Sequence, residues 1–263
     1  MYPILINFGP FLVPSWHAMY AIGALAAFWL FTKLARNKTP DVNLPQLSRI
    51  FSICYVAGYF GARLLSILIE EPEVMSINSI FAALGRFGPM TFYGGALASA
   101  FCGSIYAWKN RLPVGKLLDC AIPAGLLALA IGRIGCFLNG DDYGKPVEFI
   151  NGQSQPFWAV TFPNLADNIP RYPVQLIEST FALLICALCV LLLGRKKRGV
   201  GIGAGIVAAI GVLGYGVARF LLEFIRDDYR GLIPWTALST SQGISLILVI
   251  TSAAFMIHSQ RRI

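Results

Sequence analysis

The stretch CAIPAGLLALAIGRIGCFLNGDDYG, residues 120–144, is an oily run that carries a guanidinium, Arg133, near its end and then breaks into Asn139, Gly140, Asp141 and Asp142. As a helix rising about 1.5 Å per residue, residues 119–138 cross the roughly 30 Å hydrocarbon layer of a bilayer. A cation deep in such a span costs roughly 2.5–3.5 kcal/mol, less near the interface, and residues of this kind face a partner or a wet cavity. One stretch thus poses both a membrane fold and a polar site inside it.

Composition agrees with the membrane reading. Of 263 residues, 56% are hydrophobic and 13% charged, against about 25% charged in a soluble domain. Apolar runs near 17–34, 50–69, 91–108, 119–138, 174–193, 201–224 and 241–257 predict seven transmembrane helices in an all-α, polytopic protein. The first reads as a retained anchor, because no basic segment precedes it and it runs into KLARNKTP without a small-residue cleavage site. One domain is expected over residues 1–263, with the connector 139–173 as a small outer insertion.

The net charge of +8 reflects sidedness; no nucleic acid partner is expected. Lys33, Arg36, Lys38, Arg49, Lys109, Arg111, Lys116, Arg195, Lys196, Lys197, Arg198, Arg261 and Arg262 fall at one set of span ends. The other set holds Arg86, Lys145, Arg171, Arg226 and Arg230, mixed with Glu70, Glu71, Glu73, Asp141, Asp142, Asp227 and Asp228. The positive-inside rule then places the N-terminus outside and the C-terminus in the cytoplasm.

In that orientation the costly residues share one depth. Arg63, Arg133, Arg219 and Glu223 fall in the outer half of their spans, level with His17 and Tyr20, with Tyr93-Gly94-Gly95, and with the loop bearing Asn139, Asp141 and Tyr143. Tyr215, Arg219, Glu223 and Arg226 recur at intervals of four, four and three, which predicts one helical face. Arg63 is equally a helix tie or a snorkelling side chain, and an internal Arg219–Glu223 ion pair accounts for part of the sixth span. A cavity lined by guanidinium groups suits phosphate, whose oxygens match the fork of donors, and phospholipid headgroups are the abundant phosphate at that depth.

The same residues resemble the bacterial phosphatidylglycerol–prolipoprotein diacylglyceryl transferases. The family's G-R-x-G-N-F-x-N-G reads Gly132-Arg133-Ile134-Gly135-Cys136-Phe137-Leu138-Asn139-Gly140, followed by Gly144. Its Y-G-x-x-R-x-x-x-E-x-x-R reads Tyr215 through Arg226, and its P-x-Q-L reads Pro173-Val174-Gln175-Leu176, with Glu178 just beyond. Asp119 and Gly61-Ala62-Arg63 match further landmarks. The chain departs at Tyr93, where many members have the histidine of H-G-G; at His17, where the family has the tyrosine of W-Y-G; at Cys136; and at Asp141, usually Glu.

This resemblance implies transfer of the diacylglyceryl group of phosphatidylglycerol to the lipobox cysteine thiol of a preprolipoprotein signal peptide, at the outer leaflet of the bacterial cytoplasmic (inner) membrane. The nucleophile belongs to the substrate, so no catalytic triad is needed. No metal or cofactor is expected. The implied roles are phosphate binding and polarisation by Arg133 and Arg219, orientation by Glu223, and an extended anionic subsite at Arg226. Tyr215, Asn139 and Asp141 would position the headgroup, with Gly140 and Gly144 letting the loop approach it. His17 is the expected base, with Tyr93 as its hydrogen-bonding partner.

Two other classes remain open on residues alone. A phospholipid-binding member that has lost or altered its chemistry would keep the arginines. A transporter would call for related halves and broken helices around the midplane, and the sequence has neither. Cys54, Cys102, Cys120, Cys136, Cys186 and Cys189 lie in or near apolar spans and read as unpaired. Glycines at 199, 201, 203, 205, 211, 214 and 216 read as helix-packing positions.

Overall fold

The computed structural model describes residues 1–9, 11–70, 76–84, 90–148, 155–165, 167–194, 203–227 and 236–260. Of the residues in the charge count above, Glu71, Glu73, Arg86, Arg195, Lys196, Lys197, Arg198, Asp228, Arg230, Arg261 and Arg262 lie outside the described residues, as do Gly199 and Gly201.

Helices dominate, as long apolar runs require when every backbone group must be satisfied within its own segment. They are α1 (Ser15–Lys38), α2 (Leu44–Glu70), α3 (Ile77–Leu84), α4 (Phe92–Lys109), α5 (Val114–Asn139), α6 (Val174–Gly194), α7 (Ile206–Leu222) and α8 (Thr240–Gln260). Among the described residues two small antiparallel pairs accompany them, β1 (Ile4–Phe8) with β2 (Phe11–Pro14) and β3 (Val160–Thr161) with β4 (Pro170–Arg171).

Among the described residues six helices are long and apolar enough to cross a membrane: α1, α2, α5, α6, α7 and α8. The fold is therefore all-α and multi-span. The predicted third span, 91–108, forms α4, 18 residues long, but its Gly94, Gly95, Gly103, Ser99 and Ser104 leave it outside that set. Apolar side chains cover the outer faces of the helices, with Leu25 71%, Leu191 65% and Ile250 65% exposed. Surfaces of this kind are stable in lipid and not in water.

The chain forms two compact units, one of residues 1–34 with 118–263, the other of residues 35–117. In the second, α2 opens with a reciprocal cap: Asn43 Oδ1 accepts from Gln46 N at 2.9 Å and Gln46 Oε1 from Asn43 N at 3.0 Å, a capping box. Further along, α2 and α4 meet through small residues. A Cβ added at Gly61 would lie 2.6 Å from the Gly94 carbonyl oxygen, so only glycine permits this approach. Ser99 Oγ donates to Cys54 O at 2.7 Å. Arg63, 3% exposed, donates from Nε to the Ala83 carbonyl at 3.3 Å, tying α2 to α3.

In the first unit α7 has no capping side chain of its own; its N-cap is Gly205, at φ 89°. Asp119 of α5 supplies the acceptor, taking the Gly205 and Ala208 N–H groups at 2.8 Å each. An anion at a helix N-terminus also complements its dipole. At α8, Ser239 Oγ accepts from Gln242 N at 3.1 Å and Gln242 Oε1 from Ser239 N at 3.0 Å. Cys189, Leu193 and Val207 pack together with Leu34, Ile185 and Leu192. A Cβ at Gly211 would lie 2.6 Å from Ile122, as a packing glycine requires. None of the six cysteines is in a disulfide among the described residues.

Candidate functional site

The site grows from the end of α5. Gly140, at φ 86°, stops the helix: its N–H and that of Asp141 both return to the Cys136 carbonyl, at 2.9 and 3.1 Å. A side chain in this left-handed conformation would be strained, and a Cβ there would also lie 2.6 Å from Asn164 Nδ2. The chain then runs back across the start of α6 and the end of α7. Gly144 N donates to Tyr172 O at 3.1 Å, Tyr172 N to Lys145 O at 3.1 Å and Lys145 N to Ile225 O at 2.8 Å. A bridge also pairs Gly144 with Arg226. These bonds bring the ends of three helices to one place.

Between them four charges of the described residues close a ring. Arg133 Nη1 pairs with Asp142 Oδ2 at 2.6 Å, and Arg226 Nη2 with Asp142 Oδ1 at 2.9 Å. On the other side Arg133 Nε stands 2.9 Å and Arg226 Nη1 3.6 Å from Glu178 Oε2. Tyr215 donates its hydroxyl to Glu178 Oε1 at 2.9 Å. The Arg133, Arg226 and Glu178 side chains are 9%, 1% and 1% exposed, while that of Asp142 is 26% exposed. The costly arginine of the opening stretch is kept by two carboxylates, and it shares both with a second arginine.

A second cluster sits on α7 itself. Arg219 Nη1 pairs with Glu223 Oε2 at 2.6 Å, one helical turn along, and Nη2 reaches Ser241 Oγ at 3.4 Å. Ser239 donates to Glu223 Oε1 at 2.7 Å. The single face predicted through Arg226 is interrupted, since α7 ends at Leu222, residues Glu223–Ile225 form a 3-10 turn, and Arg226 is extended at φ −81°, ψ 150°. The turn carries Arg226 into the ring while Arg219 stays with Glu223. Arg133 and Arg219, expected to share one anion, thus have different partners.

The remaining site residues fall as follows. Asn139 donates to the Asp141 carboxylate, and its carbonyl accepts from Asn164 Nδ2 at 2.7 Å. Gln175, fully buried, donates to the Asp141 carbonyl at 2.5 Å. Gly144 gives room to the backbone of residues 172–174, since a Cβ there would stand 2.6 Å from the Tyr172 carbonyl oxygen. His17 is exposed on the first turn of α1 with Trp16 edge-on to it, and belongs to the first unit. Tyr93 belongs to the second unit, and its hydroxyl is buried without a hydrogen-bond partner among the described residues. No group of three or more His, Cys, Asp or Glu side chains among the described residues could hold a metal ion.

Outside the ring, Arg171 pairs with Asp167 at 2.7 Å and with Asp227, and lies over the Tyr143 ring at 5.0 Å. The hydrogen bond from Arg171 holds the Asp167 carboxyl below its ordinary value. Asp142, Glu178 and Gln175 were not among the expected site residues. Glu178 had a signal, as the only charge in the apolar run of α6; Asp142 was hidden by its neighbour Asp141.

The model of the prolipoprotein diacylglyceryl transferase family matches residues 3–258. The chain belongs to the prolipoprotein diacylglyceryl transferase family. Among relatives named phosphatidylglycerol–prolipoprotein diacylglyceryl transferase, one from Clostridium tetani is 33% identical over 95% of this chain and 94% of its own length. One from Wolbachia pipientis is 30% identical over 94% of this chain and 91% of its own. A third, from Bordetella parapertussis, is 28% identical over 98% and 95%. In this transferase family member the ring lies on both long motifs, Arg133 in one, Tyr215 and Arg226 in the other.

Proposed function

We propose that the protein transfers the diacylglyceryl group of phosphatidylglycerol to the lipobox cysteine of a preprolipoprotein, at the outer leaflet of the bacterial cytoplasmic membrane. In this reading α4 completes seven spans, the N-terminus is outside and the C-terminus cytoplasmic. The observation that carries it is the pair of buried guanidinium groups converging on one half-buried carboxylate, in a chain of this family.

The reaction asks for two things. The thiolate is the effective nucleophile, and a free thiol has a pKa near 8.5, so a base or cationic field must help remove its proton. The sulfur electron pair then forms a C–S bond to the glycerol carbon that carries the phosphate. The C–O bond breaks, and its electrons leave on glycerol phosphate. Charge grows on the phosphate as it leaves, and guanidinium groups already in place stabilise that change without reorganising.

Arg133 and Arg226 hold the phosphate in this scheme, with Glu178 and Tyr215 fixing the fork. Arg219, oriented by Glu223, faces the developing charge, while Asn139, Asp141, Gly140 and Gly144 shape the headgroup side. His17 takes the thiol proton on its imidazole. The connector 139–173 guides the peptide.

A detergent assay with phosphatidylglycerol and a lipobox peptide, read by mass, tests this. A peptide heavier by one diacylglyceryl group, formed by the unmodified protein, is the expected result. Arg133-dependent lipid binding with no adduct would favour the second reading, a binding protein with lost chemistry, which Tyr93 at the H-G-G position motivates. His17→Ala with full turnover would remove the base assignment.

A further inference from the structure

The two carboxylates of the ring are unlike. Glu178 is 1% exposed, comes from the interior of α6 and is also fixed by Tyr215. Asp142 is 26% exposed, stands on the connector beyond α5 and has φ 57°, a left-handed conformation that costs a non-glycine residue energy. Its two oxygens go one to each arginine, Oδ2 to Arg133 and Oδ1 to Arg226. The two non-bridging oxygens of a phosphodiester make the same pair of contacts with guanidinium groups.

Charge balance points the same way. Among the described residues the ring holds two cations and two anions. Withdrawing one anion from such a buried set, with nothing in its place, is strongly unfavourable. Exchanging Asp142 for a phosphodiester, also a monoanion, leaves the charge around the two arginines unchanged throughout. Glu178 is too deeply held to be the member that leaves.

We propose that Asp142 is a resident substitute for the substrate's phosphate. It holds the Arg133–Arg226 fork in register in the resting protein, yields its place to the phosphodiester of the lipid, and returns to displace the phosphomonoester product. The last step has a physical reason. A monoester carries about 1.5 to 2 negative charges at neutral pH, so it binds the fork more tightly than the diester and needs a competing anion to leave. Asp142 thereby weakens ground-state binding and favours turnover. This inference rests on the function proposed above.

The test uses the full-length protein in detergent, with glycerol 1-phosphate as a soluble probe followed by calorimetry and as an inhibitor of transfer. Asp142→Asn and Asp142→Gly both suit a left-handed backbone and remove the charge, and both are compared with the unmodified protein. Each variant is expected to bind glycerol 1-phosphate at least about tenfold more tightly, as loss of one charge-assisted competitor allows. The KM for phosphatidylglycerol and kcat should fall together. A tie that merely held the fold would instead weaken binding, since the arginines would lose their register. Equal or weaker binding in both variants, with wild-type binding still dependent on Arg133, overturns the exchange and leaves the transferase reading standing. Absence of any Arg133-dependent binding of probe or lipid in the unmodified protein overturns both.

Discussion

The packing of α2 on α4 and the meeting of α5, α6 and α7 solve one problem by opposite means. Lipid offers helices no hydrophobic reason to associate, so contacts rely on close packing or on polar groups. The α2–α4 pair uses the first: Gly58 and Gly61 lie against Gly95 and Gly94, and Ser99 reaches the Cys54 carbonyl. The α5–α6–α7 meeting uses the second, with two arginines, two carboxylates and a tyrosine hydroxyl. Apolar packing of similar volume is often as stable as a buried ion pair. Four charges where small residues suffice elsewhere in the same chain mark the second contact as built for more than cohesion.

Arg63 sharpens the contrast. It is as buried as Arg133, and its Nε donates to a backbone carbonyl at the end of α3, which joins two helices. Burial of an arginine does not separate structural from functional use; convergence of two on one displaceable anion does.

The largest effect on stability should come from the ring. Glu178→Gln leaves two guanidinium groups without their deeper partner, and a loss of about 3–5 kcal/mol is expected, read as a lower thermal midpoint in detergent. An unchanged midpoint would mean that the ring contributes as little as a surface pair. Next comes Gly61→Val, which forces a Cβ onto the Gly94 carbonyl; overpacking of about 1–3 kcal/mol should appear in the same assay. If it is tolerated, α2 and α4 are not held by backbone approach. Gly140→Ala should cost about 1–2 kcal/mol for its left-handed backbone, with added strain against Asn164, and should reduce transfer by displacing the Asp141–Asp142 segment. Asp167→Asn is the smallest. Its carboxyl lies at the surface, with a pKa lowered by the bond from Arg171, so its contribution is present above the unfolded-state pKa and fades as pH falls through the folded one. The variant should match the unmodified midpoint in strong acid and differ slightly at neutral pH.

Much of this was legible in the residues. Long apolar runs dictated the helices, and the price of a cation in a span pointed to Arg133 before any geometry. The helix stop at Gly140 follows from local chemistry. The partners of the arginines were harder. Periodicity extends α7 through Arg226, whereas the chain tightens into a 3-10 turn at Glu223 and pairs Arg226 with Gly144, so two arginines spaced for one face go to two clusters. Asp142 and Asp141 are adjacent; Asp141 is held by Asn139 and Gln175, while Asp142, with a left-handed backbone, reaches the fork. Such choices depend on contacts far apart in the chain. Spacing does not carry them.

The most direct test of the central claim is the mass-detected transfer assay on Arg133→Ala, with its fold checked by thermal midpoint against Arg63→Ala. The account predicts that a folded Arg133→Ala protein loses transfer by at least about 100-fold, as removal of a preorganised donor to developing charge does. Normal turnover with normal phosphatidylglycerol affinity in Arg133→Ala would contradict it, and the ring would then be cohesion alone.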